Sequence, residues 1–147
     1  MALFDISQLA VDPKKSNEGV WVDLYGTGVE FLLARHNNRN AVNARLAADA
    51  SMYKELRDAK GDDLEALQEK LRISQARVLA DHVLLDWKGM EFEGETKYTP
   101  ELAFRLLSNP AYEEVFQFVI RESINNEHFR LENEQEITED VKPSANS

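Results

Sequence analysis

The stretch from Val78 to Pro100, VLADHVLLDWKGMEFEGETKYTP, constrains the fold more than any other part of the chain. An apolar helical run reaches Leu84, Leu85 and Trp87, and Lys88-Gly89 offers its stop: a cation in the last turn, then glycine. A polar turn follows at Glu93-Gly94-Glu95. Thr99-Pro100 then opens a new helix, threonine as cap and proline at the first helical position. Punctuation of this kind describes helices joined by short connections, with this stretch as the hinge.

On its N-terminal side the composition is helical twice over. Asn37, Asn38 and Asn40 offer a cap, and residues 41–59 are rich in Ala, Leu, Arg, Lys and Glu. Leu46, Ala50, Tyr53 and Leu56 fall on one face by spacings of three and four, which predicts the buried side. Gly61 punctuates, and Asp62-Asp63 starts the next helix with acids at its positive end. Leu64, Leu67, Leu71, Ile73, Ala76, Ala80, Val83 and Trp87 continue its stripe, so a helix of roughly 25 residues, about 37 Å long, is expected within 62–88. The Leu64-Leu67-Leu71 stripe is too short for a coiled coil, and no solenoid period recurs.

Nearer the N-terminus the pattern changes. Val20, Trp21, Val22 and Leu24 favour a strand, Tyr25-Gly26-Thr27-Gly28 a turn, and Val29 to Arg35 a returning strand. A lone β-hairpin is marginal in water, so its apolar face must rest on the helices. Residues 1–18 end in Asp12-Pro13-Lys14-Lys15-Ser16-Asn17-Glu18 and read as a flexible, extended arm. Beyond the hinge, Leu102, Leu106 and Leu107 mark one helix, and Asn109-Pro110 opens a last one. There Tyr112, Val115, Phe116, Val119, Ile120 and Ser123 share a face, and the helix fades after Phe129. Residues 132–147 are acidic and poor in apolar side chains, which predicts a disordered tail. The expectation is a mainly α protein: a flexible arm (1–18), one helical domain (19–131) with an N-terminal β-hairpin at about 19–35, and a disordered acidic tail (132–147).

The formal net charge of −10 disfavours nucleic acid and anionic membrane as partners. The four arginines Arg35, Arg39, Arg45 and Arg57 form no single stripe. From Glu113 to Asp140 nine acids stand against Arg121 and Arg130, a net −7. That concentration reads either as a solvated face and soluble tail or as a surface for a basic partner. The absence of cysteine excludes disulfides and thiolate chemistry and fits a reducing compartment. No run approaches the roughly 18 apolar residues of a membrane span. The start is not that of a secretory signal, so a cytosolic location is expected.

No catalytic constellation emerges. His36, His82 and His128 fit neither HxxxH nor HExxH spacing, and His82 reads as a core or boundary residue. Gly26-Thr27-Gly28 lacks the remainder of a phosphate loop. Acid pairs such as Asp62/Asp63, Glu91/Glu93 and Glu113/Glu114 show nothing that would separate their pKa values. No cofactor, metal or catalytic residue is therefore expected. Phe118 is different: it lies off the stripe of Tyr112, Val115, Phe116 and Val119 on an acidic helix, as a partner anchor would.

Taken in order, these features resemble the tail assembly chaperones of long-tailed bacteriophages. The resemblance spans roughly residues 19–131. It rests on Gly19 to Asn38, on Trp87-Lys88-Gly89 followed by an acidic turn and Tyr98-Thr99-Pro100-Glu101, and on Phe116, Glu122, Asn125, Glu127 and Phe129. It implies a small helical, non-enzymatic protein that binds the tape measure protein, keeps it soluble, and helps tail tube protein polymerise around it. It implies action in the cytoplasm of the infected bacterial host and absence from the mature virion. In many such phages a translational frameshift makes a longer form, which a protein sequence does not display. A helix-in-groove mode suits such a client. The partner surface is expected on the helices at 62–88 and 110–130, around Trp87, Met90, Tyr98 and Phe118, its negative charge suiting a Lys-rich client segment. Homo-oligomerisation is compatible with so long a helix. The competing readings are a connector or tail-completion protein retained in the virion, and a regulator binding a host protein through the acidic surface.

Overall fold

A computed structural model describes residues 3–131. The expected acidic tail, residues 132–147, lies outside the described residues. The protein is mainly α with a small antiparallel sheet. Its elements are a 3-10 turn at Ile6–Leu9, α1 (Pro13–Glu18), β1 (Val20–Asp23), β2 (Glu30–Leu33), α2 (Arg39–Asp58), α3 (Asp62–His82), β3 (Leu84–Lys88), α4 (Pro100–Ser108) and α5 (Glu113–Ser123). A 3-10 turn, Pro110–Tyr112, leads into α5, and another, Asn126–Phe129, follows it.

The hairpin forms as its sequence dictates. Val20 pairs with Leu33 and Asp23 with Glu30. Tyr25 and Gly26 both adopt positive φ in the turn, and Thr27 N–H donates to the Leu24 carbonyl at 3.0 Å. A strand at Leu84–Lys88 departs from the expectation that these residues end the long helix: α3 stops at His82 and the chain turns at Val83 into β3. There β3 runs antiparallel to β2, with Phe31 opposite Trp87 and Glu30 opposite Lys88. The reason is the free edge of β2: its backbone groups need partners, and in the five residues of β3 Leu84 and Trp87 are the two that face the core. The helical spacing of Val83 and Trp87 is thus incidental. At 21 residues α3 is about 31 Å long rather than 37 Å.

The sheet's inner face carries Val22, Phe31, Leu33, Leu84 and Trp87, all buried. Against them pack Leu79 and Val83 at the end of α3, Leu102, Leu106 and Leu107 of α4, and Phe116, Phe118 and Val119 of α5. Thr99 caps α4 by accepting from Leu102 N–H at 3.1 Å, and Pro100 takes its first position, as expected. Asn109 accepts from Ala111 N–H at 3.0 Å, but the turn it caps is 3-10, so α5 begins only at Glu113. The acidic turn after β3 is closed by reciprocal bonds between Phe92 and Glu95, with Glu93 and Gly94 both at positive φ, the pairing a type I′ turn requires. Gly89 has no substitute of similar size: a Cβ there would lie 2.5 Å from the Gly28 carbonyl oxygen, and its φ is +79.

The N-terminal segment is less of an arm than its composition suggests. Asp12 accepts from Lys14 N–H to start α1, and Val11 bridges Arg130. Asp12 N–H donates to the Phe129 carbonyl at 2.7 Å, and Leu131 N–H to that of Ala10 at 2.9 Å. Residues 10–18 are therefore stitched to the end of the described chain, while Leu3, Phe4 and Ile6 stay exposed.

The junction of all these pieces is Ala34 to Asn38. Ala34 N–H donates to Val83, Arg35 N–H to Ser16, and His36 N–H to Ser123. The buried Asn38 side chain accepts from Ala41 N–H at 3.0 Å, capping α2, and its amide donates to the carbonyls of Arg35 at 2.7 Å and His82 at 2.8 Å. One side chain thus fastens the start of α2 to the end of α3. Replacing Asn38 with Ala removes a cap and strands the His82 carbonyl, while the Arg35 carbonyl keeps the Asn38 backbone N–H at 2.9 Å. The expected loss is about 2–4 kcal/mol, read as a lower urea midpoint with an unchanged denaturant slope.

Candidate partner-binding surface

Of the residues singled out as anchors, two are core. Trp87 is 4% exposed and sits on β3, its indole N–H donating to the Thr96 carbonyl at 3.1 Å. Its ring meets Tyr98 edge-on at 5.1 Å. Phe118 is 2% exposed. The side of α5 that it occupies is covered by the hairpin: Phe31 packs at 6.0 Å and Tyr25, from the turn, at 5.1 Å. Arg121 donates to the Tyr25 hydroxyl at 3.1 Å and holds it there. Phe118 is off the helical stripe because α5 is buried on two sides, by α4 and by the sheet, and neither it nor Trp87 offers a surface. Met90 is half-buried against the core. The Tyr98 hydroxyl lies 2.9 Å from the Ala80 carbonyl and 2.6 Å from that of Leu84, closing the α3–β3 turn. Burial, and then the nearby Asp81 and Asp86, push that hydroxyl up to about 12.

The apolar surface that is exposed lies elsewhere. α2 buries only Ala41. The side it turns to α3 is lined by Ala41, Ala44, Ala48 and Met52, which are buried or half-buried, so α2 rests on small residues. The stripe expected to be core points the other way: Leu46 is 64% and Tyr53 67% exposed, and Leu56 is also exposed. On α3, Leu64 and Ile73 are exposed in turn. From Val42 to Gln75 the one buried side chain among those described is Leu67. The distal halves of α2 and α3 are thus a two-helix limb with little core of its own. Sequence periodicity found the right residues but not their direction, because the run of alanines, rather than the leucines, marks the seam.

Two clefts flank the limb. One, of about 390 Å³, lies between the helices near their connection and is lined by Lys54, Glu55, Asp58, Asp63, Leu67 and Lys70 among others. The second, about 300 Å³, is more apolar: Ala44, Ala48, Ile73, Val78 and Phe104 line it, with Arg77 and Asp81 at its edge. Arg77 spans that edge, bonded to Asp81 and Glu101 and stacked 4.3 Å over Phe104. Where α3 meets α5, Arg72 pairs with Glu113, donates to the Ser108 carbonyl at 2.9 Å, and covers Phe116 at 4.7 Å. The bonds from Gln117 and then Arg72 hold the Glu113 carboxyl below its usual range.

Among the described residues no group of three or more His, Asp or Glu side chains is placed to hold a metal ion, and no helix is long and apolar enough to cross a membrane. His82 is half-buried at the end of α3. Fold and surface together define a small helical protein on a three-stranded sheet, with exposed apolar side chains on the α2–α3 helix pair and on the N-terminal segment around Leu3, Phe4 and Ile6. A family model described as YdaY prophage protein matches residues 32–140, and the chain belongs to that family of phage-derived proteins. No curated protein and no solved structure matches the chain.

His36, at the root of α2, has a pH signature of its own. Burial, and then Arg45 beside it, lower its pKa from 6.5 to about 4. Its Nδ1 is buried without a hydrogen-bond partner in the described structure, while Arg45 donates to the His36 carbonyl at 2.6 Å. The folded state holds the ring neutral where the unfolded chain protonates it, so stability present above pH 6.5 is lost as pH falls toward 4. His36→Asn should flatten that part of the profile, measured as the unfolding midpoint of both proteins from pH 7 to 4.

Proposed function

We propose that the chain is a tail assembly chaperone that binds the tape measure protein, keeps it soluble, and supports polymerisation of tail tube protein around it. Membership of a prophage family supports a role in the phage life cycle. The observation that supports the finer reading is the α2–α3 limb, where Leu46, Tyr53, Leu56, Leu64 and Ile73 are exposed on a stretch whose one buried side chain from Val42 to Gln75, among those described, is Leu67. Apolar side chains in a row on a helix are what a long helical client with apolar stripes can pack against. The net charge of −10 keeps a loaded complex soluble.

On this reading the protein is non-enzymatic, acts in the cytoplasm of the infected host, and leaves before the virion matures. The client surface moves from Trp87 and Phe118, which are core, to the outer faces of the limb. Co-expression with the tape measure protein of the same genome tests it. The client should become soluble and co-purify, and the double substitution Leu46→Glu and Tyr53→Glu should release it while circular dichroism stays unchanged. An insoluble, unbound client, with this chain found in mature particles, would sink the proposal.

A further inference from the structure

At the root of α2 a cleft of about 190 Å³ opens between three helices. His36, just before α2, and Arg45 of α2 line one side of it, Gln75 and Leu79 of α3 another, and Ile120 of α5 the third. Leu79 is buried and Ile120 half-buried, so they supply its apolar wall. The three polar side chains have hydrogen-bonding capacity to spare. Among the described residues neither His36 nor Gln75 has a side-chain hydrogen bond, and the His36 Nδ1 is buried. Arg45 donates to the His36 carbonyl at 2.6 Å and to the Asn37 side chain at 3.4 Å, which leaves its Nε without a partner. No described carboxylate lies within ion-pair distance of Arg45, and none lines the cleft. Asp49, one turn on, borders the neighbouring cleft. Burial, opposed by the field of Asp49, lowers the Arg45 pKa: the guanidinium has given up water without gaining a paired counter-ion.

We propose that this cleft binds a carboxylate carried on a short apolar body. Arg45 supplies the charge, His36 and Gln75 supply N–H donors, and Leu79 and Ile120 receive the hydrocarbon. A guanidinium with a free N–H and little water makes its strongest bonds to a carboxylate oxygen. The size is set by the cleft, which is smaller than the ~300 Å³ at which pockets for drug-sized ligands begin. A monoanion matches one guanidinium. A phosphate group, with a charge of about −1.5 to −2 at pH 7, would call for a second cation, and none lines the cleft. The net charge of −10 opposes an anion only weakly here, because charges more than ~8 Å away are largely screened at physiological salt. The site is independent of the chaperone reading, since its donors stand at the root of α2 and not on the exposed limb. The carboxylate can belong to a free short acid or to an acidic side chain of a bound polypeptide, and the probes below separate the two.

The test titrates the full chain with four probes at about 0.15 M salt and follows amide chemical shifts. The probes are pentanoate, its neutral isostere pentanamide, inorganic phosphate, and the N-methylamide of N-acetylglutamic acid. Pentanoate should move the resonances of His36, Arg45, Gln75, Leu79 and Ile120 with a dissociation constant on the order of 1 mM. Pentanamide and phosphate should bind roughly tenfold more weakly or not at all. Arg45→Gln should abolish pentanoate binding. Because Arg45 also holds the His36 carbonyl, a second variant guards against a loosened root. Gln75 is exposed and bonded to no described side chain, so Gln75→Glu should leave the urea midpoint unchanged while weakening pentanoate about fivefold or more by like-charge repulsion. Tighter binding of the glutamate derivative than of pentanoate supports the site and assigns the carboxylate to a protein side chain. Its exclusion while pentanoate binds supports the site and assigns a free acid. Pentanamide binding as tightly as pentanoate, phosphate binding more tightly, shifts confined to other elements, or affinity unchanged in Gln75→Glu each overturns the proposal.

Discussion

The amide of Asn38 is the fastening on which the rest of the arrangement hangs. It is buried, it caps α2, and it donates to the last carbonyl of α3, so two helices far apart along the chain share one fixed point. The backbone beside it does the same for other elements, reaching Ser16, Val83 and Ser123. Buried carbonyls without partners would each cost about 1–3 kcal/mol, which is why so many chain segments can converge there only if every donor is placed. Beside that point α3 stops at His82 and β3 lies along β2. The core then closes around the sheet, and α2 is held mainly by its root.

This division explains what could and could not be read from the sequence. The hairpin, the Thr99-Pro100 start and the type of nearly every helix follow from local chemistry, since strand formers, caps and punctuation act within a few residues. The end of α3 did not, because Leu84 to Lys88 can be read as helix or as strand: its two core-facing residues, Leu84 and Trp87, are three apart, a helical spacing even within the strand. Only the unpaired edge of β2, some fifty residues earlier in the chain, decides between them. The same holds for Phe118, whose covering residue Tyr25 comes from the other end of the protein. Both errors placed core residues on the expected partner surface.

On α2 the departure runs the other way. Helical spacing of large apolar residues points to core, and so places Leu46 and Tyr53 inside. In the structure the alanines take that role: small side chains let α2 lie close to α3, and the larger ones are left outside. The candidate surface was thus visible as a pattern but assigned to the wrong side. Nothing in the order of residues says which of two stripes on one helix will find a neighbour.

A seam made of alanines removes little apolar area from water per residue, and beyond Ala59 and Leu67 it has almost no large side chain to close it. The limb is therefore a separate cooperative unit in free-energy terms. Its outer turns can fray and re-form at a cost well below that of unfolding the sheet, because no strand or core aromatic is disturbed when they do. Such a limb can yield to the curvature of whatever lies on it, and the rigid body behind Asn38 need not change shape.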